Sequence, residues 1–408
     1  MIPYSRQSIN LFDVFHVAKQ LKSKSLTQGA KIAEFEERLA NYVGAKYAVA
    51  VSSATAGLHL AVLALELPEN SEIITSPISF VASANAILYS NHRPKFIDVE
   101  RETVNLDLNL VEKEIQKNKN IKAVIPVHFA GLPCDMKKIY MNCTSKGVKV
   151  IEDAAHALGA SYSQGGKVGS CQYSDMTVFS FHPVKSITTG EGGMVTTNSY
   201  DLYKKLLRLR SHGINKLNDS FVADLNASTK GTPNPWYYEM QALGYNFRLT
   251  EIQASLGISQ LNRLDRFIEK RRKAVNRYHK AIKSSLIFKA AQSELALSAH
   301  HLFSIRIDFT KTEVSRASLM NMLKNNGIGS QVHYIPIPLH PYYKALGYCV
   351  DDLPEAMSFY SEALSIPLYP KLRRNQQRRV LRNVQNLMTP SKALGEKTWF
   401  KKRNGKKK

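Results

Sequence analysis

The 408-residue chain contains no uninterrupted apolar run long enough to cross a bilayer, which argues against a helical membrane span. Cysteine is scarce: Cys134, Cys143, Cys171 and Cys349 are scattered, without CxxC spacing. Neither a zinc site nor a disulfide framework is expected, so no metal is assigned, and a reducing, cytoplasmic setting fits best. The N-terminus, Met1-Ile-Pro-Tyr-Ser-Arg6, has no apolar core after its basic residue and does not read as a secretory signal. Acidic residues are also few, 33 against 56 Lys plus Arg, which gives a formal charge of +23. Much of the excess lies late, at Lys371, Arg373, Arg374, Arg378, Arg379 and Arg382, and then in the lysine-rich end. Such a surface attracts polyanions whatever the fold. Zinc-finger, basic-zipper and aromatic RNP patterns are all missing, so nucleic acid is not the expected partner.

What remains is ordinary globular material, 44% hydrophobic and 22% charged, long enough for a large core and a second, smaller unit. The expected organisation is an arm over 1–30, a large domain over 31–250, a small C-terminal domain over 251–390 and a basic, disordered tail over 391–408. Residues 11–21 and 32–43 show helical apolar spacing, and Gly44 closes the second of these. Short apolar strands are expected at 47–51, within 72–80 (running into a loop), and at 95–99, 122–128 and 147–153, with helices between them. That alternation predicts an α/β fold with a mostly parallel central sheet flanked by helices. A smaller C-terminal α+β domain should contain strands at 301–307 and 328–334 and helices at 316–325, 355–364 and 376–388; before it, residues 243–256 should lead into a long helix ending near 278.

Within this frame, Val178-Phe-Ser-Phe-His-Pro-Val-Lys185 leads from a buried strand into a turn and a glycine-rich run (Gly190, Gly192, Gly193). A lysine set beside apolar residues is desolvated, loses affinity for its proton and becomes a nucleophile toward a carbonyl carbon. Pyridoxal phosphate is the commonest such carbonyl. Ser52-Ser-Ala-Thr55, between a strand and a helix, fits a phosphate at the helix N-terminus, and equally a plain cap at Ser53 or Thr55. Asp153 ends a buried strand, where ligands of α/β sheets sit; it could partner a pyridine nitrogen or cap the segment 154–158. His156, three residues on, is placed to hydrogen-bond that carboxylate. Phe80, at a loop-to-helix join, is the aromatic expected over a cofactor ring.

Taken together, Val51-Ser-Ser-Ala-Thr55, Ile151-Glu-Asp-Ala-Ala-His156, Phe179-Ser-Phe-His-Pro-Val-Lys185, Thr189-Gly-Glu-Gly-Gly193 and Gly244-Tyr-Asn-Phe-Arg248 resemble the DegT/DnrJ/EryC1/StrS family of sugar aminotransferases. The resemblance runs from Ile2 to about Leu387 and implies the fold-type I architecture of pyridoxal phosphate transferases. It implies that Lys185 is the lysine that holds the cofactor and moves the proton, and that Asp153 faces the pyridine nitrogen. Thr55, Ala56 and Ser180 would hold the phosphate, Phe80 the ring face, and Asn246 would reach the phosphate from a neighbouring subunit of a homodimer. Tyr4, Arg248, His333 and Tyr334 fall where the family meets its substrate. Family members with histidine in place of this lysine are dehydratases, so Lys185 implies transamination. Pro3-Tyr-Ser-Arg-Gln-Ser-Ile9, Pro77-Ile-Ser-Phe-Val-Ala-Ser-Ala-Asn85, Pro126-Val-His-Phe-Ala-Gly131 and Leu209-Arg-Ser-His-Gly-Ile214 resemble the members that serve pseudaminic acid synthesis. That resemblance implies L-glutamate as donor and a UDP-linked 4-keto-6-deoxy-N-acetyl-hexosamine as acceptor, although the arginine-rich stretch 371–382 and the lysine-rich tail depart from those members.

Overall fold

The computed structural model describes residues 1–216, 220–223, 227–282, 286–288 and 297–387; the expected basic tail over 391–408 lies outside them. Seven strands form the central sheet: β1 (Tyr47–Val51), β2 (Glu72–Thr75), β3 (Arg93–Phe96), β4 (Ile121–Ile125), β5 (Lys149–Asp153), β6 (Met176–Ser180) and β7 (Gly193–Thr197). Their spatial order is β1-β7-β6-β5-β4-β2-β3, and every pairing is parallel except those β7 makes with β1 and β6. β1 therefore runs the same way as β2 to β6, and the carboxyl ends of all these strands share one edge.

Helices cover both faces. The amphipathic α1 (Leu11–Leu21) and α2 (Ala30–Val43) lead in, and Gly44 closes α2 in the left-handed conformation at φ 84°. Next come α3 (Ala54–Ala64), α4 (Ala82–Tyr89), α5 (Leu108–Lys117), α6 (Met136–Thr144) and α7 (Tyr200–Arg210). Two apolar layers enclose the sheet, one around Phe35, Leu39, Phe179 and Phe181, the other around Leu58, Leu60, Ile73 and Val178. Because both faces are covered, the inner strands read as continuous buried runs instead of alternating ones.

Several expected elements differ in extent. The strand expected at 95–99 is β3 at 93–96, because Asp98 turns away to accept the N–H groups of Glu355 and Ala356 at a helix start. The long helix expected to run to 278 is two, α8 (Glu251–Leu261) and α9 (Leu264–Ala281). Arg263 leaves helical geometry at the join, and its guanidinium pairs with the buried carboxylate of Asp13 on α1. Asp13 also accepts from Ser259 at 2.7 Å and Gln260 at 2.9 Å, which fastens α1 to α8.

Toward the C-terminus, Ile287–Phe288, Phe303–Ile307 and Ala363–Ile366 form an antiparallel sheet. Helices Arg316–Asn325 and Arg374–Leu387 contact each other beside it, and their cluster takes in Ile2 from the start of the chain. The helix expected at 355–364 is Pro354–Glu362, after which the chain enters the last of these strands. The strand expected at 328–334 is instead an irregular segment with single bridges, Ile2 to Ile328 and Gln331 to Ser365. Among the described residues no helix is long and apolar enough to cross a membrane.

Candidate active site

A cavity of about 500 Å³ opens at the sheet edge where the strands end. Ser53 to Thr55 enter it beyond β1, Ser79 and Phe80 beyond β2, Asp153 at the end of β5, and Ser180 at the end of β6. Lys185 stands in the turn after β6, its N–H bonded to the His182 carbonyl at 2.9 Å. Tyr4 comes from the N-terminal segment, while His301, His333 and Tyr334 come from the C-terminal part of the chain. Of the residues expected at the site, Tyr4, Thr55, Phe80, Asp153, His156, Ser180, Lys185, His333 and Tyr334 line this one cavity.

Ala56, Asn246 and Arg248 are not on its wall. Ser53, not Thr55, caps α3: its Oγ accepts the Ala56 N–H at 3.1 Å, and its carbonyl accepts the Gly57 N–H at 3.0 Å. Ala54 and Thr55 thus carry the leading N–H groups that face the cavity end of the helix, where a phosphate fits. Gly193 lets this happen. A Cβ there would lie 2.7 Å from the Ala54 nitrogen, so any side chain would push the start of α3 off β7. Asn246 is exposed outside the cavity and Arg248 bridges to Val51 on β1. Phe80 sits on the rim with 61% of its surface exposed.

The Lys185 amine has its pKa lowered to about 8 by burial, against which the charge of Asp153 works. Asp153 accepts the Ser83 hydroxyl on Oδ2 at 2.6 Å and the Ala155 N–H on Oδ1 at 3.1 Å. The expected His156–Asp153 bond is not formed. His156 Nε2 instead pairs with the Tyr334 hydroxyl at 3.1 Å, and its ring lies 4.3 Å from that of His301. Both imidazoles are held neutral, their pKa values well below 6.5, by burial and then by neighbouring positive groups including Lys185. His333, bonded through Nδ1 to Ser365 at 2.9 Å, is lowered to about 4 by burial and then by Lys185. The Tyr334 hydroxyl is raised by burial and then by Asp153. The imidazoles of His156, His301 and His333 are therefore uncharged at neutral pH, and the carboxylates on the cavity wall are those of Asp153 and Glu191.

Ser79, Ser83 and His301 were not singled out in the sequence. Serines in a helix start carry no distinguishing spacing, and His301 reads as the first residue of a strand that begins only at Phe303. The buried Arg271 places His301, because its Nη1 bonds the carbonyls of His300, His301 and Leu368 at 3.1–3.2 Å.

Glu152, one residue before Asp153, projects to the opposite face of β5. Its carboxylate accepts from His128 at 2.8 Å, Tyr162 at 2.8 Å, Ser174 at 2.5 Å and Thr177 at 2.7 Å. Burial pushes its pKa up, but these bonds outweigh that and hold it below the ordinary value. Its role is structural. Glu152→Ala is expected to cost about 3–5 kcal/mol of stability, read from urea unfolding, by stranding the partners of a buried charge.

This arrangement, a desolvated amine facing a carboxylate across a pocket with a helix N-terminus, matches a known design. The DegT/DnrJ/EryC1/StrS aminotransferase family model matches residues 8–385. The chain belongs to this family. It is 38% identical over 374 residues, 91% of this chain and 93% of the relative, to the UDP-4-amino-4,6-dideoxy-N-acetyl-beta-L-altrosamine transaminase of Campylobacter jejuni. It is also 38% identical, over 95% of this chain and 97% of the relative, to the spore coat polysaccharide biosynthesis protein SpsC of Bacillus subtilis. Among solved structures, the Helicobacter pylori PseC aminotransferase involved in pseudaminic acid biosynthesis superposes with a TM-score of 0.84 at 32% identity. That superposition covers 95% of this chain and 99% of the PseC chain.

Proposed function

We propose that this aminotransferase moves the amino group of L-glutamate to carbon 4 of a UDP-linked 4-keto-6-deoxy-N-acetyl-hexosamine. The observation that carries the reading is the meeting of Lys185 and Asp153 in one cavity beside the start of α3. The acceptor is supported by the Campylobacter and Helicobacter relatives. The equal identity to SpsC favours, as a second reading, a different nucleotide-linked keto-sugar.

Pyridoxal phosphate is the cofactor of this enzyme, and when bound it supplies a carbonyl for the amine and an electron sink for the carbanion. The residues present fit it. Lys185 would hold the cofactor through its carbonyl carbon, and its amine is the group placed to take the donor's α-proton and return a proton. Asp153 would face the ring nitrogen, and Thr55 and Ser180 would take the phosphate. Phe80 would cover a ring face, and His156, tied to Tyr334, would pack beside the ring. Tyr4, His333 and Tyr334 line the side where the sugar would enter. Ala56 supports the phosphate only through the cap of α3. Asn246 and Arg248 lie outside this cavity, so we assign them to the phosphate and to anionic substrate groups at the site of a second copy in a homodimer.

Incubation with L-[15N]glutamate and the keto-sugar nucleotide should place 15N on carbon 4, by NMR, with one 2-oxoglutarate per amino sugar. Sugar loss without 2-oxoglutarate would instead mark a dehydratase. The pH dependence follows from the amine. Below about 8 Lys185 is mostly ammonium, so capture of pyridoxal phosphate by the cofactor-free protein should quicken about tenfold per pH unit and level off above that value. With His333 at about 4, and His156 and His301 neutral, no second inflection from these groups is expected between pH 5 and 8.

A further inference from the structure

Two serines behind Asp153, both within the segment 77–85, have been given no role above. Ser83, fully buried in the first turn of α4, places its Oγ 2.6 Å from Asp153 Oδ2. Ser79, on the cavity wall, places its Oγ 2.7 Å from that of Ser83. A serine hydroxyl has one proton to give. Ser83 also lies 3.4 Å from the Phe80 carbonyl, but the carboxylate is nearer and charged, so it receives the proton. Ser79 must then be the donor in the Ser79–Ser83 pair. The proton order is set from cavity wall to carboxylate: Ser79 to Ser83 to Asp153.

The carboxylate is gripped at both oxygens, by Ser83 on Oδ2 and by the Ala155 N–H on Oδ1. Those two bonds fix the carboxylate plane and leave the remaining lone pairs for a ligand. The first turn of a helix adds its own favourable field for a negative group. No other side chain donates to Asp153 among the described residues; His156 pairs with Tyr334 through Nε2, and its buried Nδ1 makes no hydrogen bond.

We propose that Ser83, oriented by Ser79, is a positioning residue that aims the Asp153 carboxylate at the ring nitrogen of the cofactor. The inference rests on the pyridoxal phosphate reading of the cavity and adds a residue to it. A carboxylate freed from Ser83 rotates toward other donors, and the loss falls on whatever contacts the nitrogen, not on the phosphate or the ring face.

The test compares two ligands that carry no aldehyde and so bind without Lys185 chemistry: pyridoxine 5′-phosphate and its analogue with CH in place of the ring nitrogen. Isothermal titration of the cofactor-free full chain reads both. Ser83→Ala should weaken pyridoxine phosphate about tenfold, the size of one charge-assisted hydrogen bond, and leave the carbocyclic analogue unchanged. Ser83→Thr, which keeps the hydroxyl, should restore the preference for the nitrogen ligand. Equal loss for both ligands would mean a general packing role, and no loss for either would mean that Asp153 needs no such support; either result overturns the proposal. Should Ser83→Ala not fold, Ser79→Ala carries the same comparison, with a smaller selective loss expected and the same two overturning results. If wild-type protein binds neither ligand, the cofactor reading itself fails, which is a separate outcome.

Discussion

Lys185→Ala should lose transamination by about 10⁴-fold while keeping the native circular dichroism, because the proposed mechanism makes one side chain both nucleophile and proton carrier. The fold should tolerate the change. Lys185 projects into the cavity, not into either apolar layer, and its backbone is held by the N–H bond to His182. The variant should also lose the yellow colour that borohydride bleaches in the wild-type holoenzyme, since no amine remains to hold the carbonyl. A free amine such as methylamine should return part of the rate, because the missing group is small and the cavity is open to it. Wild-type turnover in this variant would remove the mechanism altogether.

Asp153→Asn should lower kcat by about 10²–10³-fold, the scale on which a single preorganised electrostatic group acts on developing charge. The substitution nearly preserves shape and can retain one contact from Ser83 or Ala155, so the loss reports charge more than packing. Its signature differs from that of Lys185→Ala. The amine is intact, so the coloured, borohydride-sensitive adduct should still form, and glutamate should still bind, but removal of the α-proton should become the slow step. A full primary deuterium effect with α-deuterated glutamate, larger than in wild type, checks this. An unchanged kcat would mean that the carboxylate only caps the turn at 154–158. That simpler role is not idle, since Oδ1 does accept the Ala155 N–H. Under the proposed reading Asp153 serves in both roles, its Oδ1 already holding the Ala155 N–H.

The contrast between Glu152 and Asp153 shows how far local pattern reaches. Adjacent residues of a strand point to opposite faces. From the sequence both carboxylates end a buried strand and look equivalent as site groups. In the fold one is consumed by four hydrogen-bond donors beneath the sheet and the other opens to the cavity. The same holds for His156. Its spacing from Asp153 suits a helical turn, but residues 155–159 form turns without a helix, and the ring rotates toward Tyr334. A distant partner, 178 residues away, decides the bond.

What the chain settled by itself was the alternation of apolar runs and amphipathic stretches, hence the covered, mostly parallel sheet, together with the lysine, the acid and the capped helix start. Those features are local: a period of burial, a turn, a cap, and a handful of residue types at close spacing. The assembly of the cavity wall belonged to tertiary structure alone. Ile2 joins the C-terminal core and carries Tyr4 with it, Arg271 ties down His301, and the segment 328–334 forgoes a strand, with His333 and Tyr334 on the cavity wall. Each of these depends on contacts between residues far apart in the chain, and no periodicity or motif encodes which distant surface a residue will meet.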